Sequence, residues 1–319
     1  MKKSILLLFI TLTLLSCNNR KVTTTHPSES QDDPIFLFSY FKDNGDGLHL
    51  AYSTDGLKWE ALNNDSVYLK PQLGKDKLMR DPSIAQGSDG TFHIVWTTGW
   101  WDQGIGYASS RDLKTWSEQK NIPVMQNHPS TRNAWAPELF YDKNEGVFYI
   151  IWASTVPEEF SELPGQDKKK RLNHRQFYVT TRDFETFSET KVHYDPGFLV
   201  IDGAILQSDS LYYYFIKNED ADPAEKNIRW VANNKPYDFP LTVSDPITGD
   251  YWAEGPSPIQ IGEYVYVYFD KYKENNYGAV RSKDMENWED ISELITFPKG
   301  AKHGTAFKVT KEIFNNLKQ

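Results

Sequence analysis

Read as apolar and polar positions, the chain is a run of short strands. The segments "SIAQGSDGTFHIVW", "ELFYDKNEGVFYIIW", "AILQSDSLYYYFI" and "PIQIGEYVYVYF" each read as two alternating strands, several of them with Gly, Asp or Ser at the turn between. A second pattern closes each cluster. "YSTDGLKW", "YASSRDLKTW", "YVTTRDFETF" and "AVRSKDMENW" have small or hydroxyl residues, then an Asp four places before a terminal aromatic. "WVANNKPYDF" is a weaker copy with Lys235 in the Asp place. These five units recur at intervals of about 50 to 70 residues, room for four short strands each. They predict an all-β, five-bladed β-propeller. The widest interval holds the charged insert 158–174, which reads as a solvated rim loop.

The unit openings carry the candidate chemistry. "RDPSI", "WAPEL", "IDGAI" and "AEGPSPI" precede alternating segments, and "KHGTAF" follows the last full unit. The N-terminal cluster, "IFLFSYF", "GLHLAYS" and "KWEAL", supplies only three strands, and "HGTAFKVT" is a strand without a partner. If that strand becomes the inner strand of the first blade, the ring closes and leaves no free edge. The innermost strands of a propeller surround its axis. Their starts would then bring Asp81, Glu138, Asp202, Glu254 and His303 to one end of the channel. Grouped carboxylates persist where a cation or a chemical role compensates their repulsion.

Composition narrows the class. A net charge of −9 excludes the basic surface that nucleic acids require. Aromatics at 14% with ten Trp, and a mean hydropathy of −0.61, suit short strands around a polar cleft. The first 17 residues, "MKKSILLLFITLTLLSC", read as a secretion signal with a lipidated Cys17, followed by a polar tether over 18–33. Cys17 is the only cysteine, so intrachain disulfides are excluded. The expected organisation is one catalytic propeller over 34–312, lipid-anchored in a cell envelope and monomeric. The residues after Cys17 lack an acidic run, which favours the periplasmic side over the cell surface.

The ordered openers resemble those of glycoside hydrolase family 43, with "RDPSI", "WAPEL", "VIDGAI", "AEGPSPI" and "HGTAF" in that family's order from about 80 to 308. The resemblance implies inverting hydrolysis of arabinosides, xylosides or galactosides. It matches Asp81 to the general base, Glu254 to the general acid, and Asp202 to the carboxylate that tunes and orients the acid. His303 matches an axial histidine that often accompanies a calcium ion through water, although the chemistry requires no cofactor. In many members the Asp-Pro strand begins the first blade; here three strands precede it.

Inversion requires one protonated carboxyl and one ionised carboxylate, roughly 6.5–9.5 Å apart. Glu254 is expected to be held protonated by burial beside Trp252 and by the charge of Asp202. Candidate sugar contacts are Trp100, Trp101, Trp135, Glu138, Lys217 and Phe41, with Glu219 beside Lys217; the structural alternatives are core packing for the aromatics and simple solvation for the charges. Arg281 and His93 read as structural. The leading expectation is an exo-acting α-L-arabinofuranosidase, ahead of a β-xylosidase or a galactosidase. A retaining β-fructosidase and a non-catalytic glycan-binding lipoprotein are the other readings.

Overall fold

The computed structural model describes residues 34–319; the signal peptide, Cys17 and the tether lie outside them. Five antiparallel sheets follow one another along the chain. The first contains β1 (Ile35–Phe41), β2 (His49–Ser53) and β3 (Glu60–Ala61). The second contains β4 (Arg80–Gln86), β5 (Phe92–Thr97), β6 (Ile105–Ser110) and β7 (Lys120–Ile122). The third contains β8 (Trp135–Asp142), β9 (Val147–Ser154), β10 (Arg175–Thr181) and β11 (Lys191–Tyr194). The fourth has β12 (Val200–Ser208), β13 (Leu211–Asn218) and β14 (Ile228–Asn233). The fifth has β15 (Glu254–Ile261), β16 (Tyr264–Lys271), β17 (Asn276–Ser282) and β18 (Glu289–Asp290). The last strand, β19 (Lys302–Val309), returns to pair with β1, Ile35 opposite Val309. This C-terminal strand completes the first blade of a five-bladed propeller.

Each middle strand is apolar on both faces because each face meets a different neighbour. In β9, Phe148, Ile150 and Trp152 pack with the second blade, while Val147, Tyr149 and Ile151 pack with the fourth. That division follows from the two-residue side-chain period of a strand. Five such clusters fill the five junctions between adjacent blades. The fourth blade lacks a regular outer strand. Ser244 N and Ile247 N donate to Trp230 O and Ile228 O at 2.9 Å, so an irregular segment takes that place. Pro240 precedes it and Pro246 lies within it, and a proline has no N–H to give to a ladder. The chain also continues past the expected boundary at 312 into α1 (Lys311–Lys318). Thr310 caps α1 by accepting from Ile313 N, and Phe314 and Leu317 bury against the junction of the first two blades.

The repeated Ser/Thr-x-Asp signature is a turn. Ser110 Oγ accepts from Leu113 N at 2.8 Å, and Asp112 Oδ1 accepts from Lys114 N and Thr115 N at 2.9 and 2.7 Å. Thr181 with Asp183, Ser53 with Asp55, and Ser282 with Asp284 repeat the arrangement. These side chains satisfy backbone donors where the third strand leaves its ladder.

Every inner strand also carries the same irregularity. Two residues on the inner strand oppose one on its neighbour between Arg80/Ser83, Trp135/Glu138, Ile201/Ala204, Glu254/Ser257 and, in the first blade, Lys302/Thr305. These are β-bulges, which re-aim side chains at a strand start. Asp81, Ala136, Asp202 and Gly255 occupy the bulge with φ of 54°, 49°, 53° and 62°. A Cβ on Gly255 would lie 2.4 Å from the His303 ring, so this position needs glycine. Side chains then link the blades around the axis. Thr97 Oγ1 accepts from Ala136 N at 2.9 Å, Asp202 Oδ2 from Gly255 N at 3.0 Å, and Ser257 Oγ from Ala306 N at 2.7 Å.

Candidate active site

The bulge register separates the five openers into three levels. Asp81, Asp202 and His303 occupy the bulge itself, in the second, fourth and first blades. Glu254 precedes the bulge of the fifth blade. Glu138 follows the bulge of the third by two residues, where Ala136 holds the equivalent place. Four openers, Asp81, Asp202, Glu254 and His303, therefore line one cleft of about 440 Å³. Glu138 is not among its lining residues, contrary to the expected role in substrate contact. It accepts from Thr305 Oγ1 at 3.2 Å, and burial pushes its carboxyl up to about 7. Spacing from the next strand cannot reveal this offset, because a bulge and a hairpin turn trade residues without altering the total.

Asp81 is buried, with one partner on each carboxylate oxygen. Its Oδ1 lies 3.2 Å from His303 Nδ1, and its Oδ2 accepts from Thr97 Oγ1 at 2.9 Å. Burial alone would raise its pKa, but the His303 hydrogen bond and the charges of Arg80 and His303 hold it down at about 2. His303 is displaced the other way. Burial opposes its charge, yet Asp202 and Asp81 together push it up to about 9. Asp202 is pushed up to about 6 by burial, with His303 and Lys217 opposing and Glu254 and Asp81 reinforcing. The site thus holds an imidazolium among three carboxyl groups.

Glu254 is not kept dry by Trp252, as expected. Trp252 is exposed, with Lys273 Nζ 4.6 Å above its ring. The neighbour of Glu254 is Lys217, whose Nζ lies 3.0 Å from Glu254 Oε2 and 2.7 Å from Glu219 Oε2. Lys217 is only 1% exposed, so it is an ion-pair partner within the cleft wall and not a free sugar contact. Glu219 also meets Lys226 Nζ at 2.9 Å. Burial would raise Glu219, but the two lysines hold it at about 2.

The aromatic candidates divide. Trp100 and Trp135 line the cleft, their rings 6.2 Å apart and nearly perpendicular, with Trp135 Nε1 donating to Trp100 O at 2.8 Å. Trp101 is outside the cleft lining, 54% exposed, with the Arg132 guanidinium over its ring. Phe41 is fully buried and also outside the lining. It acts through Arg80, whose guanidinium lies 4.7 Å from the Phe41 ring and 4.8 Å from that of Trp100. His93 stacks on Phe184 at 4.2 Å, and Arg281 Nε donates to Glu289 at 2.8 Å, so both are structural.

Several cleft residues carried no motif. Tyr272 and Lys226 belong to this class, and so do Asp167, Lys170 and His174 from the charged insert, while Arg80 opens the "RDPSI" motif itself. The insert is therefore part of the cleft wall as well as rim. A run of Lys and Glu reads as solvated in any sequence, and only the fold turns some of it inward.

The residues around His303 do not form a direct cage for a calcium ion. The imidazolium already supplies positive charge between Asp81 and Asp202. Among the described residues, no three His, Cys, Asp or Glu side chains are arranged to hold a metal. Ca²⁺ takes six to eight oxygen ligands.

A five-bladed propeller with carboxylates from separate blades around one axial cleft defines the class. The family model described as "Probable glycosyl hydrolase domain", a glycosyl hydrolase 43-related family, matches residues 33–315. The chain belongs to that family of glycoside hydrolases. A curated α-L-arabinofuranosidase of Bifidobacterium longum is 26% identical over 178 residues. The match takes in 48% of this chain, which spans 16% of that relative's length. Among solved structures, an α-L-arabinofuranosidase from Lactobacillus brevis superposes with a TM-score of 0.53 at 15% identity. The superposition covers 67% of this chain and 72% of that one. A xylan β-1,4-xylosidase from Bacillus halodurans gives 0.51 at 20% identity, covering 66% and 41%. At such identities these likenesses carry the fold alone.

Proposed function

We propose that this chain removes terminal sugars from glycans with inversion of configuration, and that its substrates are α-L-arabinofuranosides. The observation that carries this reading is the convergence of Asp81 and Glu254, from the second and fifth blades, on one cleft. Carboxyl groups on separate blades can flank a glycosidic bond from opposite faces, as inversion demands. Asp81, held at about 2, stays ionised and takes the proton of the attacking water. Glu254 delivers a proton to the departing oxygen. Asp202 binds the amide of Gly255, the residue after the acid, and so fixes the acid's backbone. Trp100 and Trp135 offer apolar faces to a sugar ring. A cleft of about 440 Å³ suits a terminal sugar and its neighbour better than a long polymer. The name of the Bifidobacterium relative supports arabinofuranosides ahead of xylosides or galactosides.

One observation favours a second reading, a glycan-binding propeller without turnover. Lys217 Nζ sits 3.0 Å from Glu254 Oε2, which leaves only Oε1 free to carry a proton to the departing oxygen. The test compares wild type with Glu254→Gln on aryl α-L-arabinofuranoside, β-D-xyloside and β-D-galactoside. Rapid release of one phenol, lost in the variant, supports catalysis and names the sugar. Glycan binding with no release from any of them supports the second reading.

The proposed place of action is the periplasmic side of a cell envelope, as a monomer anchored through Cys17. Metabolic labelling with a fatty acid, absent in Cys17→Ser, is the expected result; equal labelling of both would refute it.

A further inference from the structure

His174 borders the cleft at the end of the insert, beside the ring of Trp135 at 5.0 Å. Its tautomer is fixed by Asn133. The Asn133 amide is anchored at both ends: its Oδ1 accepts from Thr155 N at 3.1 Å, and its Nδ2 donates to Ala153 O at 3.3 Å. The backbone amide can only donate and the carbonyl can only accept, so the side chain cannot be flipped. The second hydrogen on Nδ2 therefore points to His174 Nε2, 3.3 Å away, which must accept it. The imidazole proton is then on Nδ1. Burial keeps the ring neutral, with its pKa pulled down to about 4. Nδ1 is buried and has no hydrogen-bond partner. A buried donor without an acceptor is costly, and such groups call for an explanation.

The charged groups around this ring are Glu219, Lys226, Lys217 and Arg132. Glu219 and Lys226 line the same cleft, and Glu219 shares Lys217 with Glu254. This wall lies between the third and fourth blades and abuts the proposed acid, which is where a departing sugar would sit.

We infer that His174 Nδ1–H, with Glu219, Lys226 and the Trp135 ring, forms a saccharide subsite for the sugar on the leaving side of the cleaved bond. This rests on the glycoside reading and assigns that cleft a second specificity. His174 and Lys226 donate, Glu219 accepts, and the indole packs on the ring face. The combination suits a neutral hydroxylated ring, because the acidic and basic groups already neutralise one another.

Two measurements test it on the full chain. The first follows the His174 imidazole by ¹H–¹⁵N NMR in Glu254→Gln while xylo-oligosaccharides and arabinose-substituted xylo-oligosaccharides are added. An Nδ1–H tautomer whose proton shifts downfield on saturation is expected. An Nε2–H tautomer, or an Nδ1 signal unmoved by a saccharide that binds, overturns the inference. The second compares wild type with His174→Phe on the oligosaccharide and on the aryl glycoside of the same terminal sugar. The expected result is a KM about 10-fold higher on the oligosaccharide with kcat little changed, and a smaller change on the aryl glycoside, whose aglycone has no hydroxyl for Nδ1–H to hold. Equal losses on both substrates would mark a merely structural residue and overturn it. If no bond is cleaved but a saccharide binds at His174, the catalytic reading falls and His174 stands as a saccharide contact without a leaving side.

Discussion

Replacing His303 by Gln removes the imidazolium at the centre of the carboxylates while keeping a polar side chain of similar reach. In the folded chain this histidine is raised from 6.5 to about 9. Its side chain is only 12% exposed, so solvent screening is modest. A tenfold change in proton affinity is worth about 1.4 kcal/mol, which makes the charged form worth about 3 kcal/mol of stability. Asp81, which burial alone would raise, is instead lowered from 3.8 to about 2 by His303, Arg80 and Thr97, a net of about 2 kcal/mol. The two figures share the Asp81–His303 contact, with Asp202 contributing besides to His303, and are not added. The sign follows from the direction of the shift. A histidine that binds its proton more tightly when folded stabilises fully below its unfolded value and loses that contribution as pH rises through about 9. The stability difference between wild type and His303→Gln should therefore be about 3 kcal/mol at pH 6.5, about 1.4 at pH 8 and near zero at pH 9.5. Lost packing against Gly255 adds a constant offset without changing the slope. Urea unfolding at these three pH values measures it. A difference that stays flat, or grows with pH, would refute a charged His303.

Other consequences follow from the same geometry. Asp202, raised from 3.8 to about 6, destabilises the fold once ionised, so Asp202→Asn should be more stable by about 1–3 kcal/mol at pH 7 and no more stable at pH 4. Urea midpoints at the two pH values check this, and activity should fall as stability rises. Lys217→Met leaves Glu219 and Glu254 without their shared cation and should cost about 3 kcal/mol or more, seen as a loss of several degrees in melting temperature. In Asp112→Ala, two turn amides lose their acceptor, for an expected cost of about 1–2 kcal/mol with kcat unchanged. Trp135→Ala should lower kcat/KM at least 10-fold in steady-state assays, whereas Phe41→Leu should act mainly on stability.

The propeller was legible because its signals are local and repeated. Hairpin pairs, the Asp-capped turns and an unpaired last strand each follow from short-range chemistry, and closure needed only the count of strands. Asp81, Asp202, Glu254 and His303 could be placed in one cleft for the same reason: each stands at the start of an inner strand. What the sequence hid depends on register and on long-range packing. One bulge position separates Glu138 from the cleft, and "WAPEL" looks no different from "RDPSI" in that respect. Phe41 and Trp100 both pack against Arg80, yet Phe41 is buried outside the cleft and Trp100 lines it, a difference set by the fold and not by residue type. The partner of Glu254 comes from 37 residues away, on another blade, so the pairing with Lys217 has no local signature. The α1 helix was not anticipated, because a helix this short gains its stability from burying Phe314 and Leu317 against distant strands.

The central claim is that Asp81 and Glu254 perform a single displacement on a terminal sugar. Proton NMR of the first-formed product, recorded within the first turnovers on an aryl α-L-arabinofuranoside, tests it most directly. The account predicts the β-anomer from wild type, and no early product from either Asp81→Asn or Glu254→Gln. An α-anomer appearing first, or full activity in either variant, would contradict it.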